Sequence, residues 1–126
     1  MDGITLSNTY LLEKQFDWTD IVAEPNPVHW EAIRENRHCL VSRECVTERS
    51  GESVAFLVAA NSEYSRMESV VPDDSHEKEG RRGDVRRILV QTLSLNDLLE
   101  HAGTPADPDF LLIDTEGSEL LILKSL

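Results

Sequence analysis

The chain has 126 residues, enough for one domain with one modest core, and its 40% hydrophobic and 29% charged content is that of an ordinary globular protein. Its 24 acidic and 12 basic side chains leave a formal charge of −12, which repels phosphate backbones and anionic lipid and argues against nucleic acid or a membrane surface as partner. The longest apolar runs fall far short of the ~20 residues that span a bilayer, and no basic segment leads into an apolar one at the N-terminus, so a soluble, cytoplasmic protein is expected.

From Thr5 to Gln15, apolar Leu6, Tyr10, Leu11 and Leu12 recur at helical spacing, with Thr5 or Ser7 able to cap the start. Ile21-Val22-Ala23 reads as a short strand that ends at Glu24-Pro25-Asn26-Pro27, where two prolines forbid its continuation. A helix opening at Pro27 is expected over Val28 to Asn36, with Trp30 and Ile33 on its buried face. A strand region begins at Cys39-Leu40-Val41 and runs toward Cys45-Val46. After the turn Ser50-Gly51-Glu52, Ser53 to Val58 forms a further strand. Residues 61–84 are rich in Ser, Glu, Asp, Arg and Gly and read as a flexible loop or lid. Arg86 to Leu93 returns to strand, and Ser94-Leu95-Asn96-Asp97 resembles a capping box, with Asp where Glu or Gln is usual, opening a helix over Leu95 to His101. Gly103, Pro105 and Pro108 break the chain. Phe110-Leu111-Leu112-Ile113 then reads as a buried strand that stops on Asp114 and passes through Gly117 into a last helix. Strands alternating with helices imply an α/β fold with a mostly parallel sheet, joined by right-handed crossovers.

In open α/β sheets ligands bind beyond the carboxyl ends of the strands, so acids at those ends are the first residues to consider. Glu24 ends a strand and lies 21 residues after Gly3, the separation at which an acid takes both ribose hydroxyls in nucleotide-binding βαβ units, although only one glycine of such a turn is present and a solvated loop acid has the same pattern. Asp114, Glu116 and Glu119 crowd a second strand end. They can hold a cation, orient a substrate or act as a base, and Glu116 and Glu119 equally suit the first turn of a helix. Asp2-Gly3, followed by Thr5 and Ser7, places a flexible backbone before a helix and suits an anion or carboxylate. Cys39 and Cys45 lack metal-ligand spacing and are expected as reduced, partly buried thiols, so no metal site is expected. His29, His38, His76 and His101 read as surface residues, and the pairs Arg81-Arg82 and Arg86-Arg87 as a solvated face.

Taken in order, D-G-x-x-L-S-N-T-x-x-L-E-K from Asp2 to Lys14, E-P-N-P from Glu24, Asn36-Arg37, Ser50-Gly51-Glu52, Thr92 to Leu99 and I-D-T-E-G-S-E from Ile113 resemble the FkbM-type methyltransferases over nearly the whole chain. The resemblance implies a Rossmann-like, doubly wound fold and S-adenosylmethionine as cofactor, with O-methylation of a sugar or natural-product hydroxyl. It further implies that Asp2 and Gly3 end the glycine-rich first loop at the methionine part of the cofactor. Glu24 would hold the ribose, Cys45 and Val46 would line the adenine, and Asp114, with Glu116 and Gly117 beside it, would lie near the sulfonium and substrate. Met1 stands directly before Asp2 and the chain stops in the helix after the fourth strand of that fold. The expectation is therefore a single partial domain over 1–126 without the first and last strands. A metal-dependent nucleotide-sugar transferase using Asp114-Thr115-Glu116, and a truncated non-catalytic binding module, are the alternative readings.

Overall fold

In the computed structural model, residues 2–59, 65–69, 85–105 and 107–126 are described. They form an α/β protein with parallel strand pairs, and its contacts gather into two compact units, Met1–Arg43 and Glu44–Leu126.

The first unit contains helix α1 (Tyr10–Phe16), strand β1 (Ile21–Ala23), a 3-10 turn (Pro27–His29), helix α2 (Trp30–Asn36) and strand β2 (Leu40–Ser42). Strands β1 and β2 pair in parallel, Ile21 opposite Leu40 and Ala23 opposite Ser42, with α2 as the crossover. Pro27 needs no amide partner at the start of the turn, and the Asn26 side chain accepts the next amide, from Val28, at 3.1 Å. His29, Ile33 and Arg37 follow at intervals of four and are all buried. His29, expected at the surface, thus belongs to the inner face of α2, because the 3-10 turn extends the helical stripe back by one step. Helix α1 begins five residues later than its periodicity suggests. Asp2 draws the preceding residues into a turn, Leu6 has φ 59°, and Ser7 Oγ accepts the Tyr10 amide at 3.2 Å.

Arg37 is the centre of this unit. Its side chain is 2% exposed, and all five of its N–H groups find acceptors. Nε donates to Glu13 Oε2 at 2.7 Å, Nη1 to Ser7 Oγ at 2.9 Å and Gly3 O at 3.2 Å, and Nη2 to Thr9 Oγ1 at 2.8 Å and to Asp20. Glu13 is pulled down to about 2: burial opposes ionisation, but hydrogen bonds from Arg37, from Lys14 at 2.9 Å and from the His38 amide at 3.0 Å outweigh it.

The second unit contains strands β3 (Cys45–Thr47), β4 (Ser53–Ala59), β5 (Arg66–Met67) and β6 (Val85–Ser94), and helices α3 (Leu95–His101) and α4 (Glu119–Lys124). The order across the sheet is β3-β6-β4-β5; β3 and β6 are parallel, while β6-β4 and β4-β5 are antiparallel. The sheet is therefore mixed, where alternation of strands and helices had suggested a mostly parallel one. Helical crossovers do not join β4, β5 and β6 among the described residues. The core lies on one face, where Phe56, Val58, Val90, Met67 and Cys45 gather with Val54 and Ile88 packed against them. The register explains it: Val54 faces Val90, and Phe56 faces both Ile88 and Met67.

Three expectations change here. The single strand region from Cys39 to Val46 divides at Arg43 and Glu44 into β2 and β3, which belong to different sheets. Within the expected loop of residues 61–84, Arg66 and Met67 form β5; the rest of that loop, with His76, Arg81 and Arg82, lies outside the described residues except for 65–69. Residues 110–114 form no strand: the segment pairs with no strand among the described residues, and Phe110, Leu111 and Leu112 are 47%, 46% and 53% exposed. An apolar run has strand propensity only as far as a neighbouring strand can satisfy its backbone.

The cap of α3 is also rearranged. Ser94 Oγ accepts the Asp97 amide at 3.1 Å as expected, but the Ser94 amide donates to Ser50 Oγ at 2.8 Å in place of the N3 side chain, and Ser50 in turn donates to the Asp97 carboxylate. Asp is one methylene shorter than Glu, and the Ser50 hydroxyl spans the gap.

Replacing Arg37 by methionine is expected to cost about 3–5 kcal/mol, because Glu13 and Asp20 would be left buried without their cation. Chemical denaturation of the two proteins measures this, and a loss below about 1 kcal/mol would contradict the role given to Arg37.

Candidate cofactor site

The expected site residues fall in both units. Asp2, Gly3 and Glu24 belong to the first, and Cys45, Val46, Asp114 and Glu116 to the second.

Asp2 folds its own loop. Its carboxylate accepts the Ile4 amide at 2.8 Å, the Thr5 amide at 2.6 Å and the Thr5 hydroxyl at 2.8 Å, and these bonds, the Ile4 amide foremost, hold its pKa at about 2. The expectation that these amides form an open anion cradle is thereby corrected, since Asp2 already fills it. Gly3 has φ +81°, and a Cβ there would sit 3.0 Å from Arg37 Cγ and 3.4 Å from Ile33 Cα. The glycine is required for close approach to α2 as well as for its backbone conformation. From the other side, Asn36 Nδ2 donates to Asp2 O at 2.8 Å.

Glu24 lies just beyond the carboxyl end of β1, the position expected from the sequence. Its backbone is tied on both sides: the amide donates to Ser42 O at 2.9 Å, and the carbonyl accepts Trp30 Nε1 at 2.7 Å. The Trp30 ring is in turn covered by the Arg43 guanidinium, 4.6 Å from its centroid. The Glu24 carboxylate accepts one bond, from the Asn26 amide at 2.9 Å, and no cation among the described residues forms an ion pair with it. Burial raises its pKa, and the Asn26 amide offsets that only in part. A half-buried carboxylate that accepts one hydrogen bond from the described residues suits a ligand that brings O–H donors. This is the fit that a ribose diol requires.

In β3, alternation separates the two expected adenine-lining residues. Cys45 is 5% exposed and points into the core cluster, while Val46 faces the opposite side. Cys39 and Cys45 form no disulfide among the described residues, and burial, with the Asp20 charge behind it, raises Cys39 to about 11.

Asp114 is exposed and follows no strand, so it is not the end of a buried run as expected. The turn after it is tightly built all the same. Glu116 has φ 57° and Gly117 φ 117°, and the Glu119 carboxylate gathers the Thr115 amide at 2.7 Å, the Thr115 hydroxyl at 3.1 Å and the Gly117 amide at 3.1 Å. Burial works against the ionised form of Glu119, but these bonds, led by the Gly117 amide, lower its pKa overall. Glu119 is therefore a structural clasp, the plainer of its two sequence readings. Glu13, Asp20 and Cys39 are the described residues whose ligand atoms lie close enough together, within 4.8 Å, to surround a cation, but the Arg37 guanidinium already bonds both carboxylates.

Sequence reasoning assigned no role to Glu13, Asp20, Asn36 or Arg37, the residues that shape the Asp2-Gly3 loop. The available signal was the pairing of an unexplained Asn-Arg with an unexplained Glu-Lys in motifs already recognised.

Gly3→Ala is expected to destabilise the protein by about 1–2 kcal/mol from the left-handed backbone alone, with the Arg37 clash adding to it; thermal unfolding measures this. Glu24→Gln keeps the acceptor for Asn26 but not the charge. A carboxyl whose folded pKa lies above its unfolded value binds its proton more tightly in the native state, so wild-type stability falls as pH rises from ~4.3 through the folded pKa. Glu24→Gln is therefore expected to raise Tm at pH 8 and to lose that advantage below about pH 4; a Tm difference independent of pH would contradict the raised pKa.

No curated protein and no solved structure matches the chain significantly. The family described as the methyltransferase FkbM domain matches it from residue 1 to residue 126, and with the D-G, E-P-N-P and I-D-T-E-G-S-E blocks all inside that match, the chain belongs to the FkbM methyltransferase family.

Proposed function

We propose that the chain contributes to a Rossmann-like, doubly wound methyltransferase domain that uses S-adenosylmethionine and methylates a hydroxyl of a sugar or natural product. The observation that carries this reading is Glu24: a half-buried acid at the carboxyl end of a parallel strand, with no cation paired to it among the described residues. Its carboxylate would accept ribose O–H groups, and two such bonds to a carboxylate in a partly dry site would hold a nucleoside strongly.

The bound cofactor supplies a methyl group activated on a sulfonium. The chain supplies position. In the first unit the Asp2-Gly3 loop would face the methionine part and Glu24 would hold the ribose; in the second, Cys45 and Val46 would line the adenine. Asp114 accepts the proton of the acceptor hydroxyl, and the rigid turn at Glu116 and Gly117 holds it in place. Most of the rate enhancement then comes from aligning the hydroxyl with the methyl group. No helix among the described residues is long and apolar enough to cross a membrane, and the strong negative charge favours a small-molecule or glycan acceptor in the cytoplasm over nucleic acid or lipid.

Calorimetric titration with S-adenosylhomocysteine tests the assignment. Binding by the wild type is expected, with Glu24→Ala weakening it by roughly 10- to 100-fold, the worth of hydrogen bonds to a charged group. A wild-type protein that does not bind, or a Glu24→Ala protein that binds equally well, removes the cofactor reading.

A further inference from the structure

We propose that Asn36 is a positioning residue for the cofactor, acting through the backbone of the Asp2-Gly3 loop; this rests on the cofactor reading above. The last residue of α2 and the one after it grip two successive carbonyls of the loop. Asn36 Nδ2 holds Asp2 O at 2.8 Å and Arg37 Nη1 holds Gly3 O at 3.2 Å, each across 34 residues of sequence. The two grips differ in kind. Arg37 is buried, and its bond to Gly3 is one of five that hold the unit together. The Asn36 bond lies on the exposed side and ties nothing else, so it adds little to stability.

What the Asn36 bond does is choose a direction. A trans peptide is planar, with its C=O and the following N–H antiparallel, and no peptide among the described residues is cis. Drawing Asp2 O toward Asn36 turns the Gly3 N–H away from α2. Drawing Gly3 O toward Arg37 turns the Ile4 N–H away as well, and that amide is met by Asp2 Oδ1 at 2.8 Å. Gly3 is free to rotate its backbone more than any other residue type, so a loop centred on it needs an external hold to present one donor direction. Asn36 provides that hold. Without it the loop samples other orientations, and a ligand must restore the order at a cost in affinity.

Asn36→Leu keeps the size and removes the donor; Asn36→Gln keeps an amide on a longer stem. Hydrogen exchange of the amides of residues 3–5, the unfolding midpoint and S-adenosylhomocysteine affinity are measured on all three proteins. Asn36→Leu is expected to speed exchange in that loop, leave the midpoint nearly unchanged and weaken affinity by about 3- to 10-fold, the range of a single neutral hydrogen bond. Asn36→Gln is expected to recover part of both effects. Unchanged loop exchange overturns the proposal, as does faster exchange with unchanged affinity. A midpoint that falls in step with affinity in both variants also overturns it, by making Asn36 merely structural. If the wild type itself does not bind, the cofactor reading fails and the cofactor role of Asn36 with it. The exchange data then separately decide whether Asn36 holds the loop.

Discussion

The guanidinium of Arg37 organises everything before residue 44. Helices of seven residues are marginal in water, and a two-stranded sheet of three residues each gives little more. Five hydrogen bonds from one planar cation reach the Asp2-Gly3 loop, the turn before α1, α1 itself and the approach to β1. Burying the charge is tolerable only because Glu13 and Asp20 lie against it and each N–H is satisfied. The fork geometry of arginine matters here, since a lysine has one charged atom and cannot face so many acceptors at once.

Glu13 and Glu24 show how neighbours decide what a buried acid does. Both are removed from water in the same unit. Glu13 meets two cations and an amide, is held firmly ionised, and has nothing left for a ligand. Among the described residues Glu24 meets one amide, and burial dominates its titration. The first is structural and the second is chemically unsaturated, which is the property a binding residue needs. Asp2 and Glu119 fall on the structural side by the same criterion, because their carboxylates are consumed by amides and hydroxyls of their own turns. Asp114 keeps its carboxylate exposed.

The second unit separates packing from local propensity. Residues 53–59 and 85–94 are strands because their alternating apolar side chains meet across the ladder and bury Phe56, Val58 and Val90. Residues 110–113 are more apolar than either, and yet Phe110, Leu111 and Leu112 remain exposed without a ladder among the described residues. Hydrophobicity makes a strand worth burying, but a neighbour with matching donors and acceptors makes it a strand.

Much of this was legible along the chain. The bounds of β1 and α3, the helical turn that opens at Pro27 ahead of α2, Ile33 on the inner face of α2 and Glu24 at a strand end all follow from local chemistry: ring-locked φ, side-chain caps, helical spacing and a proline stop. The ordered motifs also carried the family. Tertiary structure alone decided the late start of α1, the burial of His29, the Ser50 bridge in the α3 cap, the division of Cys39 to Val46 between two sheets and the antiparallel half of the larger sheet. It also decided that the Asp2 carboxylate gathers three donors while Glu24 accepts one among the described residues. Each of these depends on a partner distant in sequence, such as Arg37 for the loop at Gly3 or β6 for β4, and spacing within a segment carries no information about which remote group will arrive to satisfy it.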